Sequence, residues 1–128
     1  MLYPALNLKI RNIVNTVYNH LGPDLPDEVY KEGFIHELQS SGIFYVEDPV
    51  IPIDYKGRLL ESGLTACFII ESEIVIYIKN SARSNEYNKT RIYKFMDYSG
   101  MRCGMILDFN SSYLSGIMRV FVTIEEEF

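Results

Sequence analysis

Two apolar runs, separated by a short polar break, form the centre of the hydrophobic pattern. Residues 64–70 and 74–78 are almost entirely apolar, and Glu71-Ser72-Glu73 separates them. Isoleucine, valine, tyrosine and phenylalanine favour the pleated surface of a strand. Two such runs joined by three polar residues therefore predict a β-hairpin.

The side chains of the second run lie on two different faces of the predicted strand. Because successive side chains of a strand point to opposite sides, Ile74, Ile76 and Ile78 share one face. We expect this isoleucine face to lie on the core. Tyr77 and Lys79 share the other, mixed face, where we expect any chemistry of the hairpin to lie.

Apolar residues at spacings of three and four predict three helices. Asp24 is suited to be the N-cap of the second helix, and Pro26 is suited to its first turn. Gly33 lies among large residues of that helix and predicts close packing against a neighbour. The helices are expected over residues 5–20, from Asp24 to Ser40, and over 87–98, and they stop at Gly22, Gly42 and Gly100.

The remaining apolar runs predict strands on both sides of the third helix. Pro49 and Pro52 place the first of these segments at a sheet edge or a bulge, because proline cannot donate to a strand ladder. The resulting order is helix, helix, three strands, helix, two strands. This order indicates an α+β (α/β-like) fold with one mixed sheet and flanking helices, in a single domain over residues 1–128. The additional strand segments are 43–46 and 50–54, which are one interrupted strand or two short ones, and then 103–109 and 117–124. A turn at 55–58 and the residues 59–63 lead from the first of them into the hairpin.

Composition is that of an ordinary globular chain, with 48% hydrophobic and 23% charged residues. No apolar run approaches the roughly 20 residues that span a bilayer, and the first residues lack the pattern of a signal peptide. We therefore expect an intracellular protein of the cytoplasm or nucleus, with no membrane partner. Cys67 and Cys103 both lie in apolar runs, which favours buried free thiols over a disulfide or a reactive thiol.

The net charge of −5 disfavours nucleic-acid binding, which depends on cations that neutralise phosphates. A local basic patch is still available between residues 79 and 94, and its other interpretation is a solvated helix face and loop. His20 is expected to complement the dipole at the end of the first helix, and His36 has no assigned role. The basic residues of this patch are Lys79, Arg83, Lys89, Arg91 and Lys94.

Several segments, taken in order, carry a resemblance to a known family. They are Leu21-Gly22-Pro23, Ile51–Gly57 with its Tyr-Lys-Gly, Arg91–Gly100, and Gly104–Phe109. In this order they resemble the GxxExxY proteins of the PDDEXK-type, restriction-endonuclease-like superfamily. The naming motif Gly-x-x-Glu-x-x-Tyr lies over residues 24–30, where Tyr30 matches, the glutamate has become Asp27 and the glycine has become Asp24. The resemblance covers nearly the whole chain and implies a nuclease-like fold.

The resemblance also implies where an active site would lie. Superfamily nucleases hold Mg²⁺ or Mn²⁺ with an aspartate on one hairpin strand and the glutamate of Glu-x-Lys on the next, and the metal activates water. Here Glu-x-Lys has become Tyr77-Ile78-Lys79, and the aspartate falls on Ala66 or Cys67. A thiol and a phenol are poor ligands for Mg²⁺. The family glutamine has become Arg91, so the resemblance implies a vestigial pocket formed by Asp27, Ala66, Cys67, Tyr77, Lys79 and Arg91.

This departure predicts a member without catalytic residues, metal or cofactor that acts as a structural or interaction protein, with a homodimer as one form of that interaction. Two alternatives stay open: a nucleic-acid-binding module that has lost cleavage, and a Mg²⁺- or Mn²⁺-dependent nuclease with displaced ligands. Glu61, Glu71 and Glu73 are the nearest candidates for such displaced ligands, although the last two are expected at the hairpin tip. Abundant Asn, Lys, Ile and Tyr are typical of AT-rich genomes, including those of large DNA viruses.

Overall fold

The computed structural model describes residues 2–79, 82–111 and 116–122. The predicted strand residues 123–124, the acidic residues 125–127 and the loop residues 80–81 lie outside the described residues. Three helices and seven strands follow one another along the described chain. They are α1 Pro4–Leu21, α2 Asp27–Ser40, β1 Tyr45–Glu47, β2 Val50–Tyr55, β3 Arg58–Thr65, β4 Phe68–Ile70, β5 Ile74–Ile78, α3 Asn85–Ser99, β6 Cys103–Leu107 and β7 Met118–Val122.

The first two helices pack against each other as the apolar spacing predicted. Ile10, Ile13 and Val17 of α1 are buried, and a Cβ added at Gly33 of α2 would lie 3.4 Å from the Val17 side chain. The assignment of Asp24 as N-cap was wrong, because α2 begins at Asp27 with Pro26 at the cap position. Asp24 instead has a positive φ of 67° in the connecting loop.

The five-stranded sheet has the order β1-β4-β5-β6-β7 and lies between two helical layers. Only β5 and β6 are parallel among the described pairs, and α3 connects them. The larger apolar cluster joins α1 and α2 to one face of the sheet, and a second cluster joins α3 to the other face. The predicted α+β class with a mixed sheet and flanking helices is therefore confirmed.

The chain from β1 to β4 forms one long, kinked hairpin. The partner register continues unchanged from Tyr45–Ile70 in the main sheet to Val50–Thr65 in the two-stranded sheet. At the kink, the Asp48 N–H donates to the Cys67 carbonyl at 2.9 Å, while Asp48 adopts a left-handed φ of 50°. The strands remain paired, but they leave the plane of the main sheet.

This kink explains two differences from the sequence prediction. Among the described residues, five strands, not three, separate α2 from α3, and the strands form two sheets, not one. The predicted continuous strand 64–70 breaks at Ala66 and Cys67, because the chain turns out of the sheet there. The second half, β2 with β3, is called the arm below.

The two faces of β5 also differ from the prediction. Ile74 and Ile76 lie in the α1–α2 core as expected, but Val75 and Tyr77 are buried on the other face, under α3. Tyr77 is only 4% exposed. A strand that is covered on both faces reads as a continuous apolar run, which fits the sequence Ile-Val-Ile-Tyr-Ile.

Two local features place α3 on the sheet. The Ser84 side chain accepts a hydrogen bond from the Tyr87 N–H and caps the helix, and Gly100 ends it with a left-handed φ of 74°. Gly104 of β6 lies under the helix, where an added Cβ would lie 2.8 Å from the side chains of Ile92 and Met96. A glycine at this position therefore lets α3 lie close to the sheet.

Candidate functional site

A cavity of about 450 Å³ lies where the arm separates from β5. Its walls come from α2, the kink, β5 and α3, so four parts of the chain meet there. This volume is within the range of small-ligand sites in proteins. The lining residues are Asp27, Glu28, Lys31, Asp48, Val50, Thr65, Ala66, Cys67, Tyr77, Ile78, Asn88 and Arg91.

The separation of the strands leaves a backbone donor of β5 facing a thiol. Cys67 still donates its N–H to the Ile76 carbonyl at 3.0 Å, which is the last rung between β4 and β5. The next donor, the Ile78 N–H, reaches the Cys67 Sγ at 3.4 Å. Burial raises the pKa of the Cys67 thiol, and this N–H and the nearby Lys31 partly oppose that rise. The Cys67 thiol is therefore held in its neutral form.

Tyr77 and Arg91 converge on Thr65, the last residue of the arm. The Tyr77 hydroxyl donates to the Thr65 carbonyl, and Arg91 Nη2 donates to the Thr65 Oγ1 at 3.0 Å. The Arg91 guanidinium also lies 5.2 Å from the centroid of the Tyr77 ring. Burial raises the pKa of Tyr77 to about 12, although the Arg91 charge acts in the opposite direction. Tyr77 is thus a neutral hydrogen-bond donor.

The α2 wall carries both acids and a lysine. Asp27 and Lys31 are one turn apart on the helix, and both line the cavity together with Asp48 of the kink. The Lys31 ammonium lies 2.7 Å from Asp48 Oδ1 and 3.7 Å from Glu47 Oε1. The hydrogen bond to Asp48 raises the pKa of Lys31. Lys31 therefore neutralises the carboxylate that the kink brings to the cavity.

Tyr30, the matching tyrosine of the naming motif, has a structural role at this wall. It is fully buried and stacks on Phe109 with ring centroids 4.7 Å apart. Its hydroxyl donates to the Gly22 carbonyl at 2.5 Å and accepts from the Leu25 N–H at 3.1 Å. Tyr30 therefore fixes the loop before α2, and with it the position of Asp27 at the start of the helix.

Lys79 lies apart from the other residues of the vestigial pocket that the sequence indicated. Five of those six residues line the cavity, but Lys79 does not. Its backbone N–H donates to the Leu107 carbonyl, which places it at the end of the parallel strand pair, and its ammonium lies 3.6 Å from Asp108 Oδ2. Because β5 pairs in parallel with β6, Lys79 of the former Glu-x-Lys position contacts Asp108 and not an acid of the cavity.

The remaining residues of the basic patch lie on or just before α3. The Arg83 guanidinium covers the Tyr87 ring at 4.8 Å, and Arg91 lies 5.6 Å from the same ring. Lys89 is half-buried and Lys94 is exposed. Lys79 is paired with Asp108. The other four residues of the predicted patch belong to α3 or to the loop before it.

The donor set does not fit a divalent metal of the kind that the family implies. Within residues 2–79, 82–111 and 116–122, no three His, Cys, Asp or Glu side chains converge in a way that could hold an ion. Of the acids at the cavity, Asp48 is already paired with a lysine. A neutral phenol occupies the position where the resemblance expects the glutamate, and the aspartate position falls on Ala66 or on the neutral thiol of Cys67. Hard cations favour oxygen anions, which neither position supplies. Glu71 and Glu73, the acids nearest in sequence, lie around the β4–β5 turn and do not line the cavity.

Sequence reasoning missed Lys31 and Asp48. A single lysine in an amphipathic helix carries no signal of a site, and its partner is 17 residues further along the chain. The available signal was Asp48-Pro49, since an aspartate before proline is typical of a turn. That signal predicts the break in the strand, but it does not predict that Asp48 contacts Lys31.

One of three comparisons with known proteins gave a match, which is to a family model. No helix among the described residues has the length and hydropathy needed to cross a membrane. Searches of curated proteins and of solved structures gave no significant match. The model of a family described as PD-(D/E)XK nuclease superfamily matches residues 5–120, which is most of the chain. Together with its mixed sheet and flanking helices, this match shows that the chain belongs to the PD-(D/E)XK nuclease superfamily.

Proposed function

We propose that this chain is a non-catalytic member of the superfamily and acts as an interaction protein. The observation that carries the proposal is the pairing at the former ligand position, where the Tyr77 hydroxyl binds the Thr65 carbonyl beside Arg91. A carboxylate at this position would point its charge toward a metal. The phenol instead completes a hydrogen bond within the protein, and the neutral thiol of Cys67 lies next to it.

An interaction role is supported by the apolar side chains on the kinked hairpin. Six of the large exposed hydrophobic residues lie on this hairpin or directly before it, between positions 44 and 60. Exposed apolar surface is typical of protein-binding sites when it forms one patch. Leu59 of the arm is 64% exposed, the highest value among them. A homodimer is one form of such an interaction. The six residues are Phe44, Val46, Val50, Tyr55, Leu59 and Leu60.

The first experiment is Mn²⁺ and Mg²⁺ titration of the intact chain by calorimetry, combined with cleavage assays on single- and double-stranded DNA. We expect no saturable binding in the millimolar range and no cleavage. Saturable binding with cleavage that Asp27→Ala abolishes would establish the displaced-ligand nuclease and remove the proposal. Glu32→Ala, an exposed acid on the same helix outside the cavity, is the matched control.

The interaction role has its own measurement. Light scattering after gel filtration gives the mass of the chain, which is 14.8 kDa as a monomer. Leu59→Ser with Leu60→Ser should abolish any self-association or partner binding that the arm carries, and Leu8→Ser, an exposed leucine of α1, is the control. Association that survives the arm substitutions would place the interaction on another surface.

A nucleic-acid-binding module is the second candidate, and the α3 surface favours it. Arg83, Tyr87 and Arg91 alternate cation and ring, and both features contribute to binding of single strands. A fluorescent oligonucleotide titrated at rising salt tests this candidate. Binding that weakens steeply with salt and is lost with Arg83→Glu and Lys94→Glu, but not with Lys9→Glu on α1, would support it. Absence of binding at low salt would exclude it.

A further inference from the structure

We infer that Arg91 has taken the place of the divalent cation: its guanidinium is a permanent positive charge that holds the arm on α3 and keeps metal ions out. The inference rests on the proposed non-catalytic function and names the residue that maintains it. Family resemblance gives a glutamine at this position, which is neutral and cannot exclude a cation by charge.

The contacts of Arg91 join three parts of the chain. The residue belongs to α3, it donates to Thr65 at the end of the arm, and it lies over the ring of Tyr77 in β5. The planar guanidinium joins these parts through hydrogen bonds and a ring contact, which an arginine can make at the same time.

Arg91 lies close enough to Tyr77 to pair with an acid introduced at that position. The guanidinium carbon is 5.2 Å from the centroid of the Tyr77 ring. A carboxylate introduced at position 77 would therefore lie within reach of a charge-assisted bond to the guanidinium. That carboxylate would pair with Arg91 and would be unavailable to an ion. Restoring the two acids alone should thus leave the site without metal.

The test compares three variants of the full chain by Mn²⁺ calorimetry. Cys67→Asp with Tyr77→Glu restores the acids, a second variant adds Arg91→Gln, and a third adds Lys94→Gln to the same pair. Lys94 is on the same helix but does not line the cavity, so its loss controls for net charge. We expect the variant with Arg91→Gln to bind Mn²⁺ at least tenfold more tightly than the other two. Equal affinity among the three would overturn the inference.

A second measurement applies if the Tyr77 variants do not fold. Arg91→Gln in the otherwise unchanged chain removes the bond to Thr65, so amide exchange over residues 50–65 should accelerate several-fold while α1 and α2 keep their protection. Unchanged amide exchange in the arm would show that Arg91 does not hold the arm on α3. Mn²⁺ binding by the unchanged chain would instead refute the proposed function itself, so the two failures are distinguishable.

Discussion

The two halves of the kinked hairpin share one register but have opposite environments. In the main sheet, Phe68 and Ile70 of β4 are fully buried, with helices on both sides. In the arm, β3 is exposed at each residue from Arg58 to Ser62, although Ile51 and Leu64 at its base pack under α3. Strand pairing is therefore common to both halves. The halves differ in how far neighbouring helices bury them, and the cavity lies at the boundary between them.

This difference shows why the fold and the site can change independently. The α1–α2 core is built from buried apolar side chains, none of which lines the cavity, so it does not depend on acids at the kink. The base of the arm depends on a few contacts around Thr65, among them those of Tyr77 and Arg91. Changes in the main-sheet half should therefore alter global stability, and changes in the arm should alter local opening.

The largest effect is expected from Phe68→Ala in the main-sheet half. Phe68 is fully buried and contacts the rings of Phe34 and Tyr45, with centroids at 5.2 and 6.1 Å. Truncation should lower the free energy of unfolding by roughly 3–5 kcal/mol, because it creates a cavity in the core. Urea denaturation measures the loss. Leu59→Ala on the arm is the matched control, with an expected change within about 0.5 kcal/mol. Similar losses for both would contradict the contrast between the halves.

A pair of glycine substitutions tests the close pairing of the arm. A Cβ at Gly63 would overlap the Ile51 carbonyl, which is backbone and cannot move aside. Gly63→Ala should therefore destabilise the chain by roughly 1–3 kcal/mol and open the arm to amide exchange. Gly33→Ala in α2 is the control, since its Cβ would make ordinary contacts at 3.4 Å and alanine favours the helix. A stable Gly63→Ala variant would show that the arm pairs more loosely.

The sequence predicted the main-sheet half well, because its elements follow from local pattern. Apolar spacing gave α1 and α2, and Glu71-Ser72-Glu73 gave the turn between β4 and β5. The kink could be predicted only in part. Pro49 marked the break on one strand, but Ala66 and Cys67 lie inside an apolar run and carry no turn signal. Their departure from the sheet depends on tertiary contacts that no short window contains.

Residues of the candidate site could be predicted where a family motif covers them. The contacts that these residues make with distant parts of the sequence could not. Asp27, Ala66, Cys67, Tyr77 and Arg91 line one cavity. Lys79 could not be placed, because its partner Asp108 is set by the parallel pairing of β5 with β6. Whether these residues bind a metal, a nucleic acid or a protein stays a prediction.

A smaller effect is expected from Tyr77→Phe at the boundary between the halves. The substitution removes the hydrogen bond to the Thr65 carbonyl but keeps the buried ring. Stability should fall by about 0.5–1.5 kcal/mol, with faster amide exchange in the arm than in the main sheet. Tyr55→Phe, which removes an exposed hydroxyl at the arm tip, is the control and should change neither quantity. Equal exchange in both halves would mean that Tyr77 does not hold the arm.

The smallest effect on the fold, and the most direct report on the cavity, concerns the protonation of Cys67. Burial raises its pKa above the ordinary value of 9.0, so the unfolded chain ionises first as the pH rises. The contribution of this thiol to stability is therefore present below about pH 9 and is lost as the pH passes the raised value. Because only the thiolate alkylates, iodoacetamide should modify Cys67 more slowly in the folded chain than in urea, with a midpoint above pH 9. Mass spectrometry of the Cys67 peptide measures the rate, and the fully buried Cys103 should stay unmodified. A midpoint below 9 would show that Lys31 and Arg91 outweigh burial, and the boundary would then be electropositive enough to favour an anion.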